Sequence, residues 1–205
     1  MENLIVSPSP HQKNGLSTNM VMLQVIIALV PAIVASGVIF GVQALLLILN
    51  CVVSCVFFEY IIRLVMKRSN TVSDLSAVVT GILLAMNLPV TLPLWIATIG
   101  SFIAIVIVKQ LFGGLGQNFA NPAIVGRIVL MLSFTTQMTT WVKPFFYKTA
   151  DLTTSPTPLS KSIEVLPTYK DLFLGTTGGC LGETCALALL IGGLYLVLIK
   201  VISIS

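Results

Sequence analysis

Thr157 stands between Pro156 and Pro158 in a hydroxyl-rich run that reads Asp151, Leu152, Thr153, Thr154, Ser155, Pro156, Thr157, Pro158 and Leu159. Each proline fixes its own φ and disfavours helix in the residue before it, so the Thr157 hydroxyl is expected on extended, exposed chain where it could be esterified. By composition alone this cluster reads as a solvated loop. The polar segment around it, residues 139–177, is nevertheless longer than a bare connection between two helices needs. The remaining groups capable of chemistry are ionisable residues in or beside apolar runs. Arg127 falls about one turn into a helix, where an isolated charge at the bilayer centre would cost roughly 3 kcal/mol, so it is expected to face protein or water. Asp74, just before Leu75 and Ser76, suits a helix start, where a carboxylate meets free amides and the positive end of the dipole. Glu183 lies close in sequence to the polar segment and is the first choice for coupling a redox change to a cation. Asp74 and Arg127 are weighed for either a structural or an ion-coupling role. Glu59 and Arg63 are four apart, the spacing and order of a pair on one helical face near the headgroups. Cys51 with Cys55 and Cys180 with Cys185 lack the Cys-x-x-Cys spacing of a metal or redox motif and read as small packing residues.

These residues need a scaffold, and the composition says which solvent it meets. Apolar residues make up 56% of the 205 and charged residues only 9%, a balance that a water-soluble domain of this length could not keep in solution. Nucleic acid is excluded as a partner, because the Lys and Arg residues gather at the ends of apolar runs without forming a stripe. About six membrane-crossing or partly discontinuous helices are expected, making an all-α, polytopic fold in one membrane domain. The runs are Met20 to Phe40, Val42 to Met66, Asp74 to Leu88, Leu94 to Lys109, Pro122 to about Phe134, and about Gly182 to Ile202. About 20 residues are needed to cross the hydrocarbon core, so the third and fourth fall short, as discontinuous helices lining a site at membrane depth do. If the runs alternate, Lys13, Arg63, Lys67, Arg68, Lys109 and Lys200 share one side, which the positive-inside rule makes cytoplasmic. Segment 139–177 is then external. Residues ahead of the first run lack a small-residue cleavage site and read as a retained segment.

The run from Asp151 to Leu159 resembles the flavinylation motif, Asp-x-x-(Ser/Thr)-x-Ala-Thr followed by Pro-Leu, of one membrane flavoprotein family. This family supplies the RnfD component of the ion-translocating ferredoxin:NAD oxidoreductase (Rnf) complex and a membrane component of the related sodium-translocating quinone reductase. Residues Phe112 to Arg127, with Gly113, Gly114, Gly116, Asn121 and Pro122, are similar to the Gly-rich turn and helix start of the RnfD proteins. Asp74, Ser76, Val79, Thr80 and Gly81 also resemble them, as do Gly178, Gly179, Gly182, Glu183, Thr184 and the stretch Leu190 to Gly193. The resemblance implies an electron-transfer subunit carrying FMN joined through its phosphate to Thr157, with Asp151 and Thr154 as motif positions and Pro156 in place of the usual alanine. It leaves open a second, noncovalent riboflavin. It further implies other Rnf subunits as partners, a flavin transferase during maturation, membrane lipid around the helices, a prokaryotic cell membrane as location, and sodium or protons as the moved ion. Family members are normally longer, with further spans, so the resemblance leaves open two readings: a shorter form, or the N-terminal part of a longer subunit. This chain has neither a strand-linked Gly-x-Gly-x-x-Gly for NAD nor a cysteine cluster for iron–sulfur, which assigns both centres to partner subunits. The competing reading is a solute channel or secondary transporter without a redox cofactor, followed by a structural scaffold.

Overall fold

The computed structural model describes residues 17–68, 71–148 and 168–202, and every regular element among them is helical. Two helices, α1 (Thr18–Phe40) and α2 (Val42–Val65), are long and apolar enough to cross a bilayer, at 23 and 24 residues. Ser17 caps α1, its side chain accepting from the Met20 amide at 3.3 Å. Pro31 lies inside α1 without ending it, although it removes one intrahelical hydrogen bond, a loss that membrane helices tolerate when neighbours compensate.

The other helices are shorter. They are α3 (Ser76–Met86), α4 (Leu94–Phe102), α5 (Pro122–Ser133), α6 (Thr135–Met138), α7 (Tyr169–Leu174) and α8 (Ala186–Leu198). At 1.5 Å per residue α3, α5 and α8 reach only about 16, 18 and 20 Å, against a hydrocarbon core of about 30 Å. Beyond Phe102, α4 continues through Ile103–Gln110 as a π-helix. This wider turn is visible in the bonds from Leu111 N to Val106 O and from Gly114 N to Lys109 O, each five residues back. The expected start of α5 holds: Asn121 caps it by accepting from Ala123 N at 3.0 Å, with Pro122 as its first residue. Two boundaries differ from expectation. α3 is trimmed to 76–86, and the last run begins as helix only at Ala186, because residues 180–182 pair with the end of α3 instead. Gly182 N donates to Met86 O at 2.8 Å and Leu181 N to Leu88 O at 3.2 Å, which satisfies carbonyls that the end of α3 would otherwise leave bare.

α2, α3, α4 and α5 form the centre, around a core that includes Leu47, Leu84, Leu88, Ile96, Leu130 and Leu181. Asn50 ties the middle of α2 to the start of α4, its Nδ2 donating to Leu94 O and Thr98 Oγ1, both at 3.1 Å. α8 packs antiparallel on α1. Tyr195 donates to Gln24 Oε1 at 2.5 Å, and three residues earlier Gly192 meets Ala28 so closely that a Cβ would stand 2.1 Å from the Ala28 carbonyl oxygen. The first part of the polar segment folds over the corner between α1 and α2, with Phe145 N donating to Ile39 O and the Tyr147 hydroxyl to Val38 O, both at 2.8 Å. Segment 139–177 is therefore not all loop, since it also holds α7, whose first turn is closed by a capping box of Thr168 and Asp171. Large apolar side chains face outward along α1, α2, α5 and α8, as a hydrocarbon solvent permits and water does not.

Candidate functional site

Two polar clusters lie at opposite ends of α3. At its start, four elements converge on the carboxylate of Glu59, which is fully buried on α2 about 9 Å inside that helix's end. Lys109, on the π-helical end of α4, donates to Glu59 Oε2 at 2.8 Å and to Ser76 Oγ at 2.6 Å. Its neighbour Gln110 donates to Glu59 Oε1 at 2.9 Å, as does the Thr71 hydroxyl at the same distance. The π turn lets two consecutive residues reach one carboxylate. Helical segments of this kind recur at functional sites. Gln110 Oε1 is buried and has no donor among the described residues. Asp74 stands at the edge of this cluster, where Oδ1 accepts from both the amide and the hydroxyl of Ser76.

The pairing on Glu59 differs from the sequence expectation. Spacing alone matches Glu59 with Arg63 near the headgroups and counts Lys109 among the charges at the ends of runs. In the fold both Glu59 and Lys109 are buried, and they satisfy each other. A charge moved out of water needs a charged and hydrogen-bonded partner wherever one can be reached, and Lys109 brings the opposite charge from a separate helix. The signal is present in the chain: two opposite charges in separate apolar runs, each needing a partner at depth.

The second cluster forms where α3 ends and α8 begins. Arg127 Nη1 donates to Asn87 Oδ1 at 2.9 Å and lies 3.5 Å from Glu183 Oε1. The other carboxylate oxygen, Glu183 Oε2, accepts from Cys180 N at 3.3 Å, and the Cys180 thiol donates to Asn87 O at 3.4 Å. Electrostatics supports both placements, since the guanidinium stands by the carbonyl end of α3 and the carboxylate just ahead of the amide end of α8. The cluster is more open than the first. The Arg127 side chain is 28% exposed and that of Glu183 57%.

The fold thus joins Arg127 with Glu183, which the sequence leaves apart, and sets Asp74 at the other end of α3, about 16 Å of helix away. Asp151, Thr154 and Thr157 lie outside the described residues. Cys51, Cys55 and Cys180 are buried and unpaired with one another.

Comparison with known proteins bears on what these clusters serve. A family model described as the NQR2, RnfD, RnfE family matches residues 5–205. The chain is 49% identical over 207 residues to the D subunit of the Na(+)-translocating ferredoxin:NAD(+) oxidoreductase complex of Acetobacterium woodii, covering 98% of this chain and 64% of that protein. It is 41% identical over 210 residues to the D subunit of the proton-translocating ferredoxin:NAD(+) oxidoreductase complex of Clostridium ljungdahlii, covering 97% and 63%. With the D subunit of the ion-translocating oxidoreductase complex of Rhodobacter capsulatus the identity is 38% over 226 residues, covering 95% and 63%. The chain therefore spans slightly less than two thirds of the length of these relatives.

Proposed function

The chain belongs to the NQR2, RnfD, RnfE family of membrane proteins, and from that premise we propose that it relays electrons in an ion-translocating ferredoxin:NAD oxidoreductase complex, carrying FMN esterified to Thr157. The observation that carries this reading is the similarity to the D subunits of such complexes along nearly the whole chain. Ferredoxin oxidation, NAD reduction and the remaining redox centres belong to partner subunits. One relative is named for a sodium-translocating complex and another for a proton-translocating one, and both match over the same region, which supports sodium or protons as the moved ion.

Bound through its phosphate, FMN would supply one- and two-electron redox chemistry with its ring left free for tuning by the protein. The donor set between the end of α3 and the start of α8 suits such a group. Arg127 presents a five-donor guanidinium of which Nη1 alone serves Asn87 and Glu183, and guanidinium is the side chain best matched to a phosphodiester. Glu183 carries a carboxylate that an arriving cation would meet beside that guanidinium. Glu59 and Lys109 hold a second pair of opposite charges deep in apolar surroundings, where a proton or small cation changes the local balance most. Segment 139–177 lies on the noncytoplasmic side in this reading, and the ends of α2 and α8 on the cytoplasmic side. An impermeant thiol reagent should label a cysteine introduced at Lys161 only from outside the cell; labelling only from the cytoplasm reverses the arrangement.

The deciding experiment is made on the full subunit in its complex. The subunit should stay fluorescent through a denaturing gel, and the peptide spanning Thr157 should carry the mass of FMN less one water. Thr157→Ala should abolish both signals while Thr153→Ala keeps them. A native chain with neither signal would return the reading to a channel or secondary transporter.

A further inference from the structure

The outward face of α2 carries a pattern that electron transfer leaves unused. Leu46, Leu49, Val53, Phe57, Tyr60 and Leu64 follow one another at intervals of three and four, and each is half exposed or more. Such spacing makes one continuous apolar stripe along the helix. Where the stripe ends, Tyr60 and Leu64 join Arg63 and Arg68 around an open pocket of about 210 Å³.

A backbone carbonyl holds the Arg68 guanidinium in place. Arg68 is exposed, donates from Nη1 to the Gln110 carbonyl at 3.3 Å, and has no carboxylate partner among the described residues. Arg63 extends its Nη2 over Gly114, where φ is +102° and an added Cβ would stand only 2.7 Å from that nitrogen.

We propose that this pocket binds the phosphate of an anionic membrane phospholipid, with an acyl chain lying along Leu64, Phe57 and Val53. Guanidinium forks match phosphate oxygens in geometry and charge. Tyrosine is suited to the boundary between headgroup and chain. The apolar stripe is what selects a lipid over free phosphate, because the inorganic anion gains nothing from it. This inference does not depend on the flavin.

The test uses the full-length subunit in its complex, reconstituted in nanodiscs of phosphatidylcholine containing phosphatidylglycerol with a photoreactive acyl chain. After irradiation, labelled peptides should map to 53–64. Arg68→Gln should lower that labelling about fivefold, the worth of one basic residue near a membrane surface, while Arg68→Lys retains most of it. Excess inorganic phosphate should not compete. Equal labelling in the native protein and Arg68→Gln, or loss of label to inorganic phosphate alone, would overturn the proposal. Arg68 is exposed at the end of α2, so its variants test the pocket even if Arg63→Gln fails to assemble.

Discussion

Glu59 and Lys109 make the costliest arrangement in the structure, two opposite charges buried among apolar helices. Their attraction does little more than offset the water they lost, so the pair is a weak source of stability and a strong liability when broken. Lys109→Met alone is expected to destabilise the full subunit by roughly 3–5 kcal/mol, because the Glu59 carboxyl is left buried without its ammonium partner. Glu59→Gln together with Lys109→Met should recover most of that loss, as read by thermal unfolding in nanodiscs. A double variant no more stable than the worse single one would contradict this account. Arg127 and Glu183 behave differently. They are partly exposed at 3.5 Å, a geometry worth about 0–1 kcal/mol. Glu183→Gln should therefore leave the unfolding midpoint nearly unchanged yet slow cation transport in proteoliposomes. Undiminished transport would remove Glu183 from the coupling step. The chain signals only that Glu59 and Lys109 each need a partner at depth; which partner each takes is not legible, since the paired residues are 50 and 56 positions apart and pattern analysis reports only neighbours on one helix.

At the scale of elements, the packing of α8 on α1 rests on a missing side chain. With Ala28 O at 2.1 Å from where a Cβ would stand, Gly192→Ala must push the two helices apart. A loss of about 1–3 kcal/mol is expected, typical of overpacking at a close contact. Gly193, which faces open space, is the control. If Gly192→Ala and Gly193→Ala shift the unfolding midpoint equally, the close approach is not what seats α8. Most helices are legible in the chain because apolar runs, Pro122 after Asn121, and the Asn87–Pro89 stop are local signals. Two features are not. The π turn at Ile103–Gln110 has no local signature, and the contacts its Lys109 and Gln110 make with Glu59 join residues 50 and 51 positions apart. The delayed start of α8 depends on residues 180–182 finding the end of α3, far away in sequence. α7 is hidden for another reason: six residues in a polar segment give too few periods to stand out.

Across the whole molecule, α1 and α2 set the full membrane thickness while α3, α5 and α8 cover only part of it. On one side Asn87 and Glu183 mark the polar level between the end of α3 and the start of α8, and on the other polar chain runs from the end of α2 to the start of α3. The two clusters are therefore separated by little more than the length of α3 itself, about 16 Å. A cation passing from the level of Glu183 to that of Glu59 would cover about 16 Å of a hydrocarbon core of about 30 Å, and a voltage falling evenly across that core would act on it with roughly half its full worth, about 1.2 kcal/mol per 100 mV.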